Sequence, residues 1–125
     1  MTKHTVFVYG SLKRGFHNNY FLKGEQFLQE AVSDDKFEMW GWGFPFIAVS
    51  PSGLPVAGEL WSVSNKVLTR LDVLEGIAQG FYRRESRSFS GVQAWVYLVD
   101  LPEEPVDSDD ERVSRTEVLN WRNRR

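Results

Sequence analysis

Glu75 closes a helical pattern that begins at Ser64, and its place on that helix suggests a chemistry. With Leu71 set at 0° and about 100° per residue, Val67 falls at about −40°, Leu68 at about 60° and Leu74 at about −60°. Glu75 lies at about 40° on the same wheel, inside this apolar sector, and Asp72 at about 100°, on its edge. Thr69 and Arg70 face away. A carboxylate turned toward the core at a helix's last turn loses water and meets the negative end of the helix dipole. Both effects raise its pKa. An acid with a pKa lifted toward neutrality suits general acid–base work. Geometry alone leaves a second reading open, in which the helix frays at Gly76 and Glu75 turns out to solvent.

The second feature is Tyr9-Gly10-Ser11-Leu12. An apolar strand that ends in Gly and Ser leaves backbone N–H groups without ladder partners, and such a loop can cradle a carboxylate or phosphate. An ordinary loop fits the spacing as well. The Gly10…Gly15 spacing has the outline of a phosphate-binding loop, but Phe16-His17 stands where Lys-Ser/Thr is required. No Gly-x-Gly-x-x-Gly and no Gly-x-Ser-x-Gly elbow is present, which removes the dinucleotide and Ser-His-Asp readings. The histidines, His4 and His17, have no carboxylates at metal-ligand spacing, so no metal and no cofactor is expected. Trp40, Trp42, Phe44 and Phe46 fit either an aromatic pocket or ordinary core packing.

The elements that must position these groups read as strands around one helix. Thr5–Tyr9 is apolar at both parities, as in a strand buried on both faces in mid-sheet. Gly10–Gly15 is loop and Asn18–Leu22 a short helical turn. The stretch from Phe27 to Met39 is ambiguous, with strand character at Phe37–Trp40. Gly41–Phe46 cannot be regular helix, and Phe46–Val49 reads as a strand. Pro51-Ser52-Gly53 is a turn. Val56–Val63 is a strand in which Gly58 marks a bulge or a close backbone approach. Ser64 is a good N-cap, and Gly76 sits where the helix stops. Phe81–Phe89 and Val92–Asp100 form a hairpin across Ser90-Gly91. Arg83, Glu85 and Arg87 share a solvated face, whereas Val92–Asp100 is apolar on both. The expected architecture is α+β: a small mixed, curled β-sheet or barrel of about six strands, one main helix and short helices.

Composition bounds the function. The chain of 125 residues, 42% hydrophobic and 14% aromatic, suits one compact domain with its own core. It has no Cys, which excludes disulfides, thiolate catalysis and iron–sulfur clusters and suits a reducing compartment. A net charge of −2 argues against nucleic-acid binding by bulk electrostatics. No apolar run approaches the roughly 18 residues of a membrane span. The apolar stretch Val6–Tyr9 is too short for a secretory signal, so a cytoplasmic protein is expected. Residues 1–101 form the expected domain. In residues 102–125, six acids crowd positions 103–111 in a solvated loop, and Val113–Trp121 suits a short helix docked through Val118, Leu119 and Trp121.

Four segments, taken in order, bring a family into view. Val6-Phe7-Val8-Tyr9-Gly10-Ser11-Leu12-Lys13-Arg14-Gly15 closely resembles the opening motif of γ-glutamylcyclotransferase-like proteins, nearest the γ-glutamylamine cyclotransferase or AIG2-like type. Gly43-Phe44-Pro45-Phe46 is similar to its Gly-aromatic-Pro segment, and Val56–Val63 to its Gly-Glu-Leu-aromatic strand. Leu71-Asp72-Val73-Leu74-Glu75-Gly76, followed by Phe81-Tyr82-Arg83-Arg84, resembles its helix-end glutamate and the Tyr-Arg after it. The loop between Glu75 and Tyr82 is slightly longer than usual, and the acidic tail is not part of the shared pattern.

The resemblance implies a small γ-glutamyl substrate bound through its α-carboxylate or amide oxygen on the N–H groups of Gly10, Ser11 and Leu12. Glu75 would take a proton from the substrate's α-ammonium. The freed amine would attack its own γ-carbonyl, and Glu75 would return the proton to the leaving amine, giving 5-oxoproline. Such chemistry needs no catalytic Ser, Cys or metal. Tyr9, Tyr82 and Tyr97 are further substrate-binding candidates, the last through its hydroxyl. Two alternatives stay open: a non-catalytic binding or regulatory domain, and a biosynthetic enzyme removing a γ-glutamyl group with the same Glu75. The leaving amine and the oligomeric state are not specified.

Overall fold

The computed structural model describes residues 3–40, 45–100 and Leu119. Its centre is a five-stranded mixed sheet in the order β2-β5-β1-β7-β6. These strands are β1 (Lys3–Val8), β2 (Gln26–Val32), β5 (Ala57–Ser64), β6 (Arg83–Phe89) and β7 (Val92–Leu98). A separate antiparallel hairpin pairs β3 (Phe37–Trp40) with β4 (Phe46–Val49). The main helix α1 spans Asn65–Leu74, and one 3₁₀ turn spans Asn19–Leu22. No helix among the described residues is long and apolar enough to cross a membrane.

β1 is the middle strand, as its double-sided apolar pattern predicts. Val6 and Val8 pack with Leu68 and Leu71 of α1 on one face. Phe7 and Tyr9 point the other way, into a core with Met39 and Ile47 of the hairpin. The period of two therefore feeds two cores, one under the helix and one under the hairpin. β7, parallel to β1, divides likewise: Ala94, Val96 and Leu98 lie on the hairpin side and Tyr97 on the helix side. Phe7 stacks on Phe89 with centroids 3.9 Å apart.

Four points refine or correct the sequence expectations. Seven strands form; β2 is the additional one. Most of its side chains face solvent, so it lacks the apolar alternation that betrays a half-buried strand. The bulge falls in β2, where the register shifts between Phe27 and Gln29, while Gly58 is the site of close approach. A Cβ on Gly58 would stand 2.4 Å from the Val8 carbonyl oxygen. The sheet curls until its edges touch at one corner, with Ser90 N–H donating to Val32 O at 2.9 Å, but it does not close into a barrel. Leu119, expected in a helix, makes a parallel β-bridge with Val56 and is buried. The other residues of the acidic tail, with Trp42, Gly43 and Phe44, lie outside the described residues. The Ser90-Gly91 turn has φ of 49° and 81°, the left-handed pair that a two-residue hairpin requires. Arg83, Glu85 and Arg87 form a half-exposed ion-pair row that Asp35 extends.

Candidate active site

Where β1 ends in the middle of the sheet, the chain turns through Tyr9-Gly10-Ser11-Leu12, and the loop's acceptors are tied from behind. Gly10 O accepts from Lys13 N at 3.0 Å and Ser11 O from Asn18 N at 3.0 Å. Asn18 Nδ2 donates to Ser11 Oγ, and Asn19 Nδ2 to Leu12 O, each at 2.8 Å. The amides of Gly10, Ser11 and Leu12 take no acceptor among the described residues, so they are free to hold an anion. Gly10 is required for space: a Cβ there would stand 2.7 Å from Pro45 Cγ. Beyond the loop, Glu59 anchors Arg14. The Glu59 carboxylate, 7% exposed, accepts from Arg14 N at 3.0 Å, Arg14 Nε at 3.1 Å and Trp61 Nε1 at 3.2 Å.

α1 delivers Glu75 to the same place. Ser64 Oγ caps the helix by accepting from Val67 N at 3.3 Å. Val67, Leu68 and Leu71 are buried, as the wheel requires. Glu75 does not fray outward: its N–H donates to Leu71 O at 2.9 Å, and Gly76, at φ +67°, takes the left-handed conformation that ends the helix behind it. The Glu75 side chain is half-buried and lines a cavity of about 670 Å³ with Tyr9, Gly10, Ser11, Leu12, Tyr82 and Tyr97. Glu75 and the six expected substrate-binding residues are thus brought to one cavity.

Burial pushes the Glu75 carboxyl up to about 7, and among the described residues it has no hydrogen-bond or ion-pair partner. The cause of the rise is desolvation by burial, the first of the two effects expected from the sequence. Three tyrosines surround it with their hydroxyl protons committed elsewhere. Tyr9 Oη donates to Tyr97 O at 2.6 Å, Tyr82 Oη to Pro45 O at 2.8 Å and Tyr97 Oη to Asp72 Oδ1 at 2.7 Å. Burial, and secondarily the charge of Glu75, raises the Tyr82 phenol above its ordinary value. In Tyr9 burial comes first, followed by Tyr82 and then Glu75. In Tyr97 burial and Asp72 lead. All three stay neutral near pH 7 and shape the site rather than titrate in it.

Sequence reasoning left out part of the wall. His17 and Asn18 line the cavity, as do Pro45, Leu74, Phe81, Val99 and Asp100. These come from chain segments that meet only in three dimensions, and no local spacing marks them. Of the four aromatic residues read as either pocket or core, Trp40 and Phe46 line the cavity, and Trp40 is also buried. Among the described residues, no three His, Asp or Glu side chains gather as metal ligands.

Comparison with known proteins places the chain in a family and its fold among solved structures. A Methanocaldococcus jannaschii protein, provisionally named a gamma-glutamylcyclotransferase, is 36% identical over 99 residues, covering 74% of this chain and 82% of its own. The Escherichia coli K12 protein named "Gamma-glutamylcyclotransferase family protein YtfP" is 31% identical over 97 residues, covering 78% and 83%. Among solved structures, an AIG2-like protein from mouse superposes with a TM-score of 0.73 at 24% identity, covering 79% of this chain and 78% of that one. An uncharacterized protein from Pyrococcus horikoshii superposes at 0.70 and 21% identity, covering 88% and 85%. At these identities the structural likeness speaks for the fold. The family described as "Gamma-glutamyl cyclotransferase, AIG2-like" matches residues 6–123, and the chain belongs to it.

Proposed function

We propose that this chain is a γ-glutamylcyclotransferase that releases 5-oxoproline from a small γ-glutamyl compound, with Glu75 as the proton carrier. Family membership supports cyclotransferase-type activity in general. The observation that carries the specific reading is a half-buried carboxylate, lifted to about 7 and without a partner among the described residues, in one cavity with the amides of Gly10–Leu12.

The substrate's α-carboxylate or amide oxygen takes those amides, and its α-ammonium faces Glu75. Glu75, ionised, accepts one ammonium proton. The amine lone pair attacks the γ-carbonyl carbon, a C–N bond closes a five-membered ring, and the old amide C–N bond breaks. Glu75 returns its proton to the departing nitrogen. The ring nitrogen sheds its second ammonium proton as the lactam forms, and the departing amine takes that proton up and leaves as an ammonium ion, so the step balances; the nucleophile is the substrate's own. Folding the substrate into a reactive conformer and carrying protons from the attacking to the departing nitrogen are the two tasks left to the protein. A pKa near 7 serves both directions of the transfer.

The test is 5-oxoproline release from a panel of γ-glutamyl amides, with Glu75→Gln as the control. Release that falls by about 10²-fold or more in the variant is expected. Turnover at near wild-type rate in Glu75→Gln would remove Glu75 from the mechanism. Binding of γ-glutamyl compounds without any release would make the chain a binding module.

A further inference from the structure

Asn18 stands at the N-cap of the 3₁₀ turn Asn19–Leu22, where an Asn side chain normally accepts from the first amides of the turn, yet it makes no such bond. Its main chain does the local work, with Asn18 O accepting from Phe21 N at 3.1 Å. The side chain is turned to the amide loop instead. Nδ2 donates to Ser11 Oγ at 2.8 Å, beside the Asn18 N–H bond to Ser11 O at 3.0 Å. From this we infer that Asn18 is a positioning residue: by donating to the Ser11 oxygen it leaves the hydroxyl proton to point into the cavity, as a further donor beside the amides of Gly10, Ser11 and Leu12. The inference rests on the substrate placement proposed above.

A serine hydroxyl both accepts and donates, but it has a single proton to give. Ser11 is buried, and among the described residues no acceptor takes that proton. The carboxylates that line the same cavity are not its acceptors: Asp100 pairs with Arg83, and Glu75 has no hydrogen bond among the described residues. A loop that presents donors alone matches a carboxylate or carbonyl oxygen of the substrate. A hydroxyl that offered its lone pairs there would face oxygen with oxygen and leave the substrate's acceptor unpaired. Asn19 gives the contrast. Its Nδ2 donates to Leu12 O at 2.8 Å, which steadies the loop but has no hydroxyl to turn.

The test measures binding of γ-glutamyl-methylamide by calorimetry in chains carrying Glu75→Gln, which holds turnover off, and KM and kcat for 5-oxoproline release in chains that keep Glu75. Asn18→Leu should raise Kd and KM about tenfold with kcat within about twofold. With Ser11→Ala also present, Asn18→Leu should change Kd by less than about twofold, because the hydroxyl it acts through is gone. Asn19→Leu should change Kd by the same factor with or without that hydroxyl. Asn18→Asp nearly keeps the shape but accepts the Ser11 proton, and it should weaken binding at least as far as Asn18→Leu. Asn18→Leu acting equally with and without the Ser11 hydroxyl, Asn19→Leu coupling to Ser11 as strongly, or Asn18→Asp binding like the native side chain would each overturn the inference. The expected binding pattern without any 5-oxoproline release keeps the inference and overturns the reaction. No binding of γ-glutamyl-methylamide by the chain with Ser11 and Asn18 intact overturns both.

Discussion

Asp72 and Glu75 stand one turn apart at the end of α1, and the fold treats their carboxylates oppositely. Asp72 accepts the Tyr97 hydroxyl at 2.7 Å and pairs with Arg84 at 3.1 Å. Glu75 is stripped of water and has no partner among the described residues. Two acids whose surroundings differ in this way divide the labour of a site. Asp72 holds Tyr97 and the β6 strand in place, and Glu75 is left as the group that can move a proton.

The pH–rate profile follows from that division. In the proposed reaction Glu75 must be ionised to take a proton from the substrate's ammonium, and its carboxyl stands at about 7. kcat/KM should therefore fall with unit slope below pH 7, reaching about one-thirtieth of its plateau at pH 5.5. A profile flat from pH 5 to 8 would mean that another group carries the proton.

The same burial makes Glu75 a cost to the fold. The folded chain holds this proton more tightly than the unfolded one, because the pKa rises from 4.5 to about 7. Its stabilising contribution is fully present below pH 4.5 and is lost as pH rises through about 7. A rise of that size corresponds to about 3 kcal/mol, which partial solvent access reduces to about 2 kcal/mol. Glu75→Gln should accordingly unfold at higher urea than the native chain at pH 8, with the gap closing toward pH 4.5. Equal midpoints at both pH values would show that the carboxylate is not desolvated.

What the sequence discloses about this site divides along a physical line. Local features are legible: Ser64 as a cap, Gly76 as a stop, the Ser90-Gly91 turn, and the double-sided apolar pattern of β1. Each rests on interactions within a few residues. Glu75 is legible only halfway, since periodicity places it in the apolar sector without showing whether the last turn holds. The Leu71 hydrogen bond and the φ of Gly76 settle that point. β2 is hidden because an edge strand with solvent-facing side chains has no apolar alternation. Glu59 is hidden for another reason, because its partner Arg14 lies 45 residues away.

That distant pair should control binding more than chemistry. Glu59 clamps Arg14 immediately after the amide loop, and the Arg14 guanidinium also lies over Phe27 at 3.8 Å. Glu59→Gln keeps the shape but removes the charge and turns an amide donor toward another donor. A loss of about 1–2 kcal/mol is expected, since Arg14 is itself half-exposed. KM should rise severalfold with kcat within about twofold, the pattern of a lost uniform binding interaction. Steady-state kinetics beside a urea titration measures both. A kcat that falls as far as KM rises would place Glu59 in the chemistry rather than behind the loop.

Gly58 tests whether β1 must sit where it does. A Cβ there would stand 2.4 Å from the Val8 carbonyl oxygen and 2.6 Å from Phe7 Cζ. Neither neighbour can give way freely: Val8 is the last residue of β1, pairing with Glu59, and Phe7 is fully packed against Phe89. Relief would displace the end of the strand from which Tyr9 and the amide loop hang. Gly58→Ala should therefore cost about 3 kcal/mol, at the upper end for overpacking, and raise KM in whatever protein remains folded. Gly91→Ala provides the contrast. Gly91 has nothing within 4 Å of its would-be Cβ, and only its φ of 81° resists a side chain. That substitution should cost about 1 kcal/mol and leave KM unchanged, because the turn lies far along the sheet from the cavity. If Gly58→Ala cost no more than Gly91→Ala, small shifts would relieve the crowding at Gly58, and the close approach of β5 to β1 would not be what holds the loop in register.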